Sequence, residues 1–180
     1  MTDAALVVAL ANAQSARRPP HARAPVAYDG LADAASANDL LGAFLDRPIR
    51  ARQELNAVRA LQDEVVAVAG ALIDGSPPPL AALNALAAQQ VATYALERQA
   101  DGTLQMTLRP RRASAAATLL IRVMDELSEL EPSRLKRCAR RGCHLVFYDA
   151  TRSGTQRWHA ERPCGLRERQ RRHRVKQGMR

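Results

Sequence analysis

Aromatic residues are scarce in this 180-residue chain: one Trp, three Tyr and two Phe, 3% of the total. A core of this length cannot be built around large rings, so Leu, Val and Ala must fill it. Alanine is abundant instead, at 35 residues. It stabilises helices far more than it fills cores. Lysine is nearly missing: of 27 basic residues, 25 are Arg and 2 are Lys. Heavy Ala and Arg together are what GC-rich coding produces, so arginine richness alone says little about function. No apolar run approaches the roughly 20 residues of a membrane helix. The stretch Ala4–Ala11 follows Asp3 rather than a basic region, which does not fit a secretory signal. A soluble, cytoplasmic protein with no membrane partner is therefore expected. The three cysteines are odd in number and all follow residue 137, which excludes a disulfide framework. A Gly-rich phosphate loop is missing too. Residues 1–130 hold no Cys and a single His, His21, in a Pro-rich stretch. They carry no recognisable chemistry, although an apolar effector pocket would leave little mark in sequence.

The charge is uneven. Residues 131–180 hold 15 Lys+Arg against 4 Asp+Glu, a net +11, while residues 1–130 hold 12 against 14, a net −2. A near-neutral body is thus followed by a basic, cysteine-bearing end, as expected of a module that meets a polyanion. A solvated basic tail is the plainer reading of the same charge. The predicted organisation is a body over 1–132 and a small module over 133–180.

Within the body, Ala5–Leu10 is an apolar run that periodicity leaves between strand and helix. Arg17-Arg-Pro-Pro-His21 and Pro25 predict an exposed loop. Asn38 or Asp39 can cap a short helix bearing Leu40, Leu41, Phe44 and Leu45, ended by Pro48. Leu55, Val58, Leu61, Val65, Val68 and Leu72 predict an amphipathic helix over about 51–73. Asp74-Gly-Ser-Pro-Pro-Pro79 breaks the chain, and Leu80–Gln90 resumes a helix. Residues 91–96 and 103–108 then alternate apolar and polar around Asp101-Gly102, a β-hairpin signal. A last helix over about 113–130 should bury Leu119, Leu120, Val123, Met124, Leu127 and Leu130. The expected fold class is α+β, mostly helical.

The basic end is more specific. Four residues separate Cys138 from Cys143, four separate His159 from Cys164, and 15 lie between the pairs. Two close pairs, each at a tight turn and joined by a hairpin, are the architecture of a structural zinc site. Three thiolates and one imidazole make a closed tetrahedral set, and Gly142 lets the first knuckle turn sharply. His144 is the competing imidazole. It opens the strand Leu145–Tyr148 and should point away from a metal held by Cys143. His173 lies further off, in the next helix.

The segment Cys138–Arg174 resembles the CGNR-type zinc finger, through Cys138, Cys143, Phe147, Asp149, Arg157 beside Trp158, Cys164, Gly165 and Arg167. The body resembles the ABATE-type domain that precedes this finger: an N-terminal apolar strand, a Leu-Asn-Ala-Leu helix at 83–86, the 91–108 hairpin and the final helix. The resemblance implies a stress-related bacterial transcription regulator that binds DNA. Two positions depart from the pattern. His159 stands where the finger has its third cysteine, which keeps a zinc ligand with one negative charge fewer. Leu166 stands where the motif has asparagine, so any contact made by that asparagine is lost.

After Cys164 the chain predicts a helix with Arg167, Arg171 and Arg174 on one face and Arg169, Arg172 and Lys176 on a neighbouring one. Arginine forks suit phosphate and guanine edges. With Arg157, these arginines are the candidate nucleic-acid contacts, and Trp158 is expected to serve as core. DNA is the favoured partner, with RNA and an acidic protein as the alternatives. A nuclease built on His144 and Asp149 is disfavoured, because strand alternation puts the two on opposite faces. The expectation is a zinc-dependent DNA-binding regulator, not an enzyme, whose body senses an effector or dimerises.

Overall fold

Apolar side chains at three- and four-residue steps from Leu55 to Val68 dictate the longest helix, which organises the rest. In the computed structural model, which describes residues 4–17, 26–112 and 114–178, this helix is α3 (Arg52–Ile73). Its Val58, Leu61 and Val65 face α1 (Ala5–Ala11) and α5 (Ala115–Glu129). Leu6, Val7 and Leu10 of α1 and Leu119 and Val123 of α5 are fully buried against them. α4 (Leu80–Ala88) buries Leu83 on the same core.

Several boundaries differ from expectation. The N-terminal apolar run is helix α1, not a strand. Its Leu6, Val7 and Leu10 fall on one helical face, and the Glu126 carboxylate accepts from the Leu6 and Val7 amides at 3.0 and 2.8 Å. That carboxylate satisfies donors which a helix start leaves unpaired. The next helix, α2 (Ala34–Leu41), is capped by Asp33, which accepts from the Ser36 amide, rather than by Asn38 or Asp39. Asn38 instead pairs with both backbone groups of Ile49, at 2.7 and 2.9 Å. Phe44 lies in a separate 3-10 turn, Gly42–Phe44. Met124 was expected in the buried stripe of α5 but is exposed, because the stripe is narrower than the run of apolar residues. The loop expected over Arg17–Pro25, His21 included, lies outside the described residues except for Arg17.

Among the described residues, strands occur as three separate antiparallel pairs. β1 (Gln14–Arg17) pairs with β2 (Val26–Asp29), a ribbon the sequence did not announce. β3 (Ala92–Arg98) pairs with β4 (Leu104–Pro110), with Leu96 opposite Met106. β5 (Leu135–Arg137) pairs with β6 (Val146–Tyr148). This last pair carries the basic end and is packed onto the body: Leu135 and Val146 are buried with Ala69 of α3 and with Leu130. Asn12, at the end of α1, donates to the Val146 carbonyl and accepts from its amide, both at 2.8 Å. The last helix, α6 (Leu166–Lys176), follows.

Candidate metal centre

The first cysteine pair sits at the turn of the β5–β6 hairpin itself. The sequence reading had placed a hairpin between the two pairs instead. Cys138 leaves β5 with its amide on the Leu145 carbonyl at 2.9 Å, and Cys143 donates to Arg140 O at 3.0 Å. Between them Gly142 has φ +73°, a left-handed conformation that a side chain would strain. The second pair is returned by the loop after β6. Asp149 organises that loop. It is fully buried and accepts from Lys136 Nζ at 2.7 Å, from the Thr151 hydroxyl and amide at 2.5 and 3.1 Å, and from the Gln156 amide at 2.7 Å. Burial opposes its ionisation, but the Lys136 ammonium and these donors hold its carboxyl well below the usual range. The loop then runs beside the knuckle, where the Ala139 amide donates to Arg157 O at 2.8 Å.

Cys138, Cys143, His159 and Cys164 are thereby brought together, with their donor atoms all within 4.8 Å of one another. His159 Nδ1 lies 3.6 Å from Cys143 Sγ and 3.7 Å from Cys164 Sγ. A tetrahedral zinc with Zn–S near 2.3 Å and Zn–N near 2.0 Å sets such N···S edges at about 3.5 Å, so the donors fit that ion. Cys138 and Cys164 are buried, and the other two are half-buried. Burial pushes the Cys143 thiol up to about 12, and its cysteine neighbours add to the shift. Burial likewise raises Cys164, opposed by the Arg140 guanidinium 3.8 Å from its sulfur. Thiols so placed resist ionisation alone; a bound dication reverses that preference. His144 and His173 are both exposed and stand outside the cluster.

The second knuckle, Glu161–Gly165, leads into α6. Its Gly165 is buried, and a Cβ there would meet the Glu161 carboxylate at 2.5 Å. The candidate nucleic-acid residues are less free than the sequence suggests. Glu168, unexpectedly buried at 5% exposure, accepts from Arg171 at 2.7 Å and pairs with Arg172 at 3.5 Å. Arg169 pairs with Glu161 and stands over Trp158 at 6.0 Å, with Arg157 over the same ring at 5.8 Å. Trp158 is half-buried, so it serves as packing and as a cation platform at once. Arg174 is exposed at the distal end, and Arg167 lies half-buried in the first turn. Charge counting missed the acids: Glu161 and Glu168 are two of only four in this end, and each is placed to bind arginine.

A Cys3His cluster, half of it buried, rooting a short basic helix defines a small metal-finger class. Residues 134–177 match the CGNR zinc finger. Residues 4–146 match ABATE, described as "Putative stress-induced transcription regulator"; this covers well over half of the chain, which belongs to that family. No curated protein matches the chain. The two matched stretches overlap on 134–146, the segment by which the finger is packed on the body. No helix among the described residues is long and apolar enough to cross a membrane.

Proposed function

We propose that the protein is a zinc-stabilised DNA-binding regulator of the bacterial cytoplasm that acts by binding and not by catalysis. The observation that carries this reading is the Cys3His cluster at the root of the arginine-rich helix α6. When bound, zinc supplies folding free energy to a module with little apolar core of its own. Cys138, Cys143, His159 and Cys164 hold it and so fix the start of α6. Arg174 and Lys176 on α6, with Arg141, Arg152 and Arg162 around the knuckles, present exposed cations to phosphate. Arg157, over the Trp158 ring, offers its planar guanidinium to a base edge or phosphate, and Arg169 can do so by leaving Glu161. The Asp149 carboxylate is fully engaged by Lys136 of β5 and by Thr151 and Gln156 of the loop it organises, which supports a structural role for it.

One observation favours a second reading, in which the finger docks on a protein rather than on a nucleic acid. The pairs of Glu168 with Arg171 and Arg172, and of Glu161 with Arg169, neutralise much of α6 without any polyanion. Metal analysis combined with binding to duplex DNA and to RNA over a salt series separates the readings. DNA binding should show a log–log slope of roughly −0.9 per phosphate contact. Zinc at full occupancy with no binding to either nucleic acid at low salt would leave the protein partner.

A further inference from the structure

The β3–β4 hairpin turns its apolar side outward. Tyr94, Leu96, Leu104, Met106 and Leu108 share one face, with the exposed Arg98 at its tip end, and the first four are 64–73% exposed. The other face, with Ala95, Glu97 and Thr107, is the half-covered one, and there Thr107 and Arg109 both bond the Glu97 carboxylate. An isolated two-stranded hairpin is marginal in water, and contiguous apolar surface of this size marks an interaction site.

We infer that this face is a dimer interface that takes a second copy of the chain, packed face to face about a two-fold axis. Side chains this exposed present about 600 Å² per copy, so two copies would remove on the order of 1,200 Å², enough for a specific interface. Charge selects the alignment. Asp101 stands exposed at the hairpin tip, held by its bonds to Thr103, while Arg111 and Arg112 stand exposed at the base. A tip-to-base pairing sets each Asp101 opposite the other copy's Arg111 and Arg112. A tip-to-tip pairing would instead bring the four base arginines of the two copies together. Such an interface is isologous and closes on itself.

Sedimentation equilibrium of the full zinc-loaded chain, from low micromolar upward, tests this. The wild type should be a dimer with a micromolar or tighter constant. Leu96→Glu and Met106→Glu, both on exposed side chains, should each raise that constant about 30-fold or more. Their zinc content and circular dichroism should stay unchanged. Gln105→Glu on the opposite face should leave the dimer intact. Asp101→Arg should weaken it, and adding Arg111→Glu with Arg112→Glu should restore it. A monomer throughout the micromolar range, or a dimer indifferent to Leu96→Glu, would overturn the inference. A dimer that Leu96→Glu breaks but the charge exchange does not rescue would overturn the tip-to-base alignment.

Discussion

His159 and His144 show what a single residue decides at this site. Both flank cysteines in the chain, yet only His159 Nδ1 meets the sulfurs, while His144 is exposed beside Cys143. His159→Cys should therefore keep one zinc per chain, because thiolate replaces imidazole in the tetrahedral set. His159→Ala should lose it under a competing chelator, and His144→Ala should not, as read by metal analysis. Equal retention by both alanine variants would remove His159 from the ligand set. Asp149 is the second decisive residue. Its folded pKa is depressed, so its contribution to stability is present above the unfolded value near 3.9 and is lost as pH falls below it. Asp149→Asn should lower the melting temperature of the finger at neutral pH. It should also flatten the acid dependence below about pH 4, which thermal unfolding of both proteins across pH would reveal. Asp149 was legible as part of a motif, but its four donors depend on the return of the loop to Lys136 and could not be read from spacing.

At the scale of elements, helices with a full apolar stripe were legible because their period is written along the chain. α3 is the clearest case. Short elements were not: α1 has seven residues, too few for its period to separate helix from strand. The basic helix α6 was legible as a helix, but its charge balance was not. Spacing puts Arg171 and Arg172 on neighbouring faces, but does not show that the buried Glu168 draws both toward it. Glu168→Gln removes that pull. Nucleic-acid affinity should then rise severalfold and the salt slope steepen by roughly one to two contacts at about −0.9 each, measured by fluorescence anisotropy. An unchanged slope would mean that Arg171 and Arg172 do not reach phosphate. Arg174→Glu, at one of the exposed cations in the last turn of α6, should weaken binding without loss of zinc.

At the scale of the whole molecule, the finger is an outgrowth of the body rather than a bead on a linker. Asn12 satisfies both backbone groups of Val146, and Leu135 and Val146 share an apolar cluster with Ala69 and Leu130. Asn12→Ala leaves those groups unpaired, a cost of about 1–3 kcal/mol. The variant should melt earlier but bind one zinc per chain, as calorimetry with metal analysis would show. Chelation should behave differently. The knuckles and α6 should lose hydrogen-exchange protection, while the β6 amides on α1 keep it, because the body holds that strand without metal. Simultaneous loss of protection throughout would mean that zinc holds the hairpin on the body.

The sequence by itself determined the donor chemistry and the run of elements from α3 to α5. Ligand type, pair spacing, the glycine of the knuckle and the period of each long helix are local properties, carried by residues close in the chain. Only the tertiary structure decided which contacts close the molecule. Glu126 caps a helix 120 residues away, and Asn12 holds a strand 134 residues away. It also decided that Glu168 is buried among arginines and that the β3–β4 hairpin shows its apolar face to solvent. Alternation along a strand says that two faces differ; which of them is covered depends on what the rest of the chain packs against it.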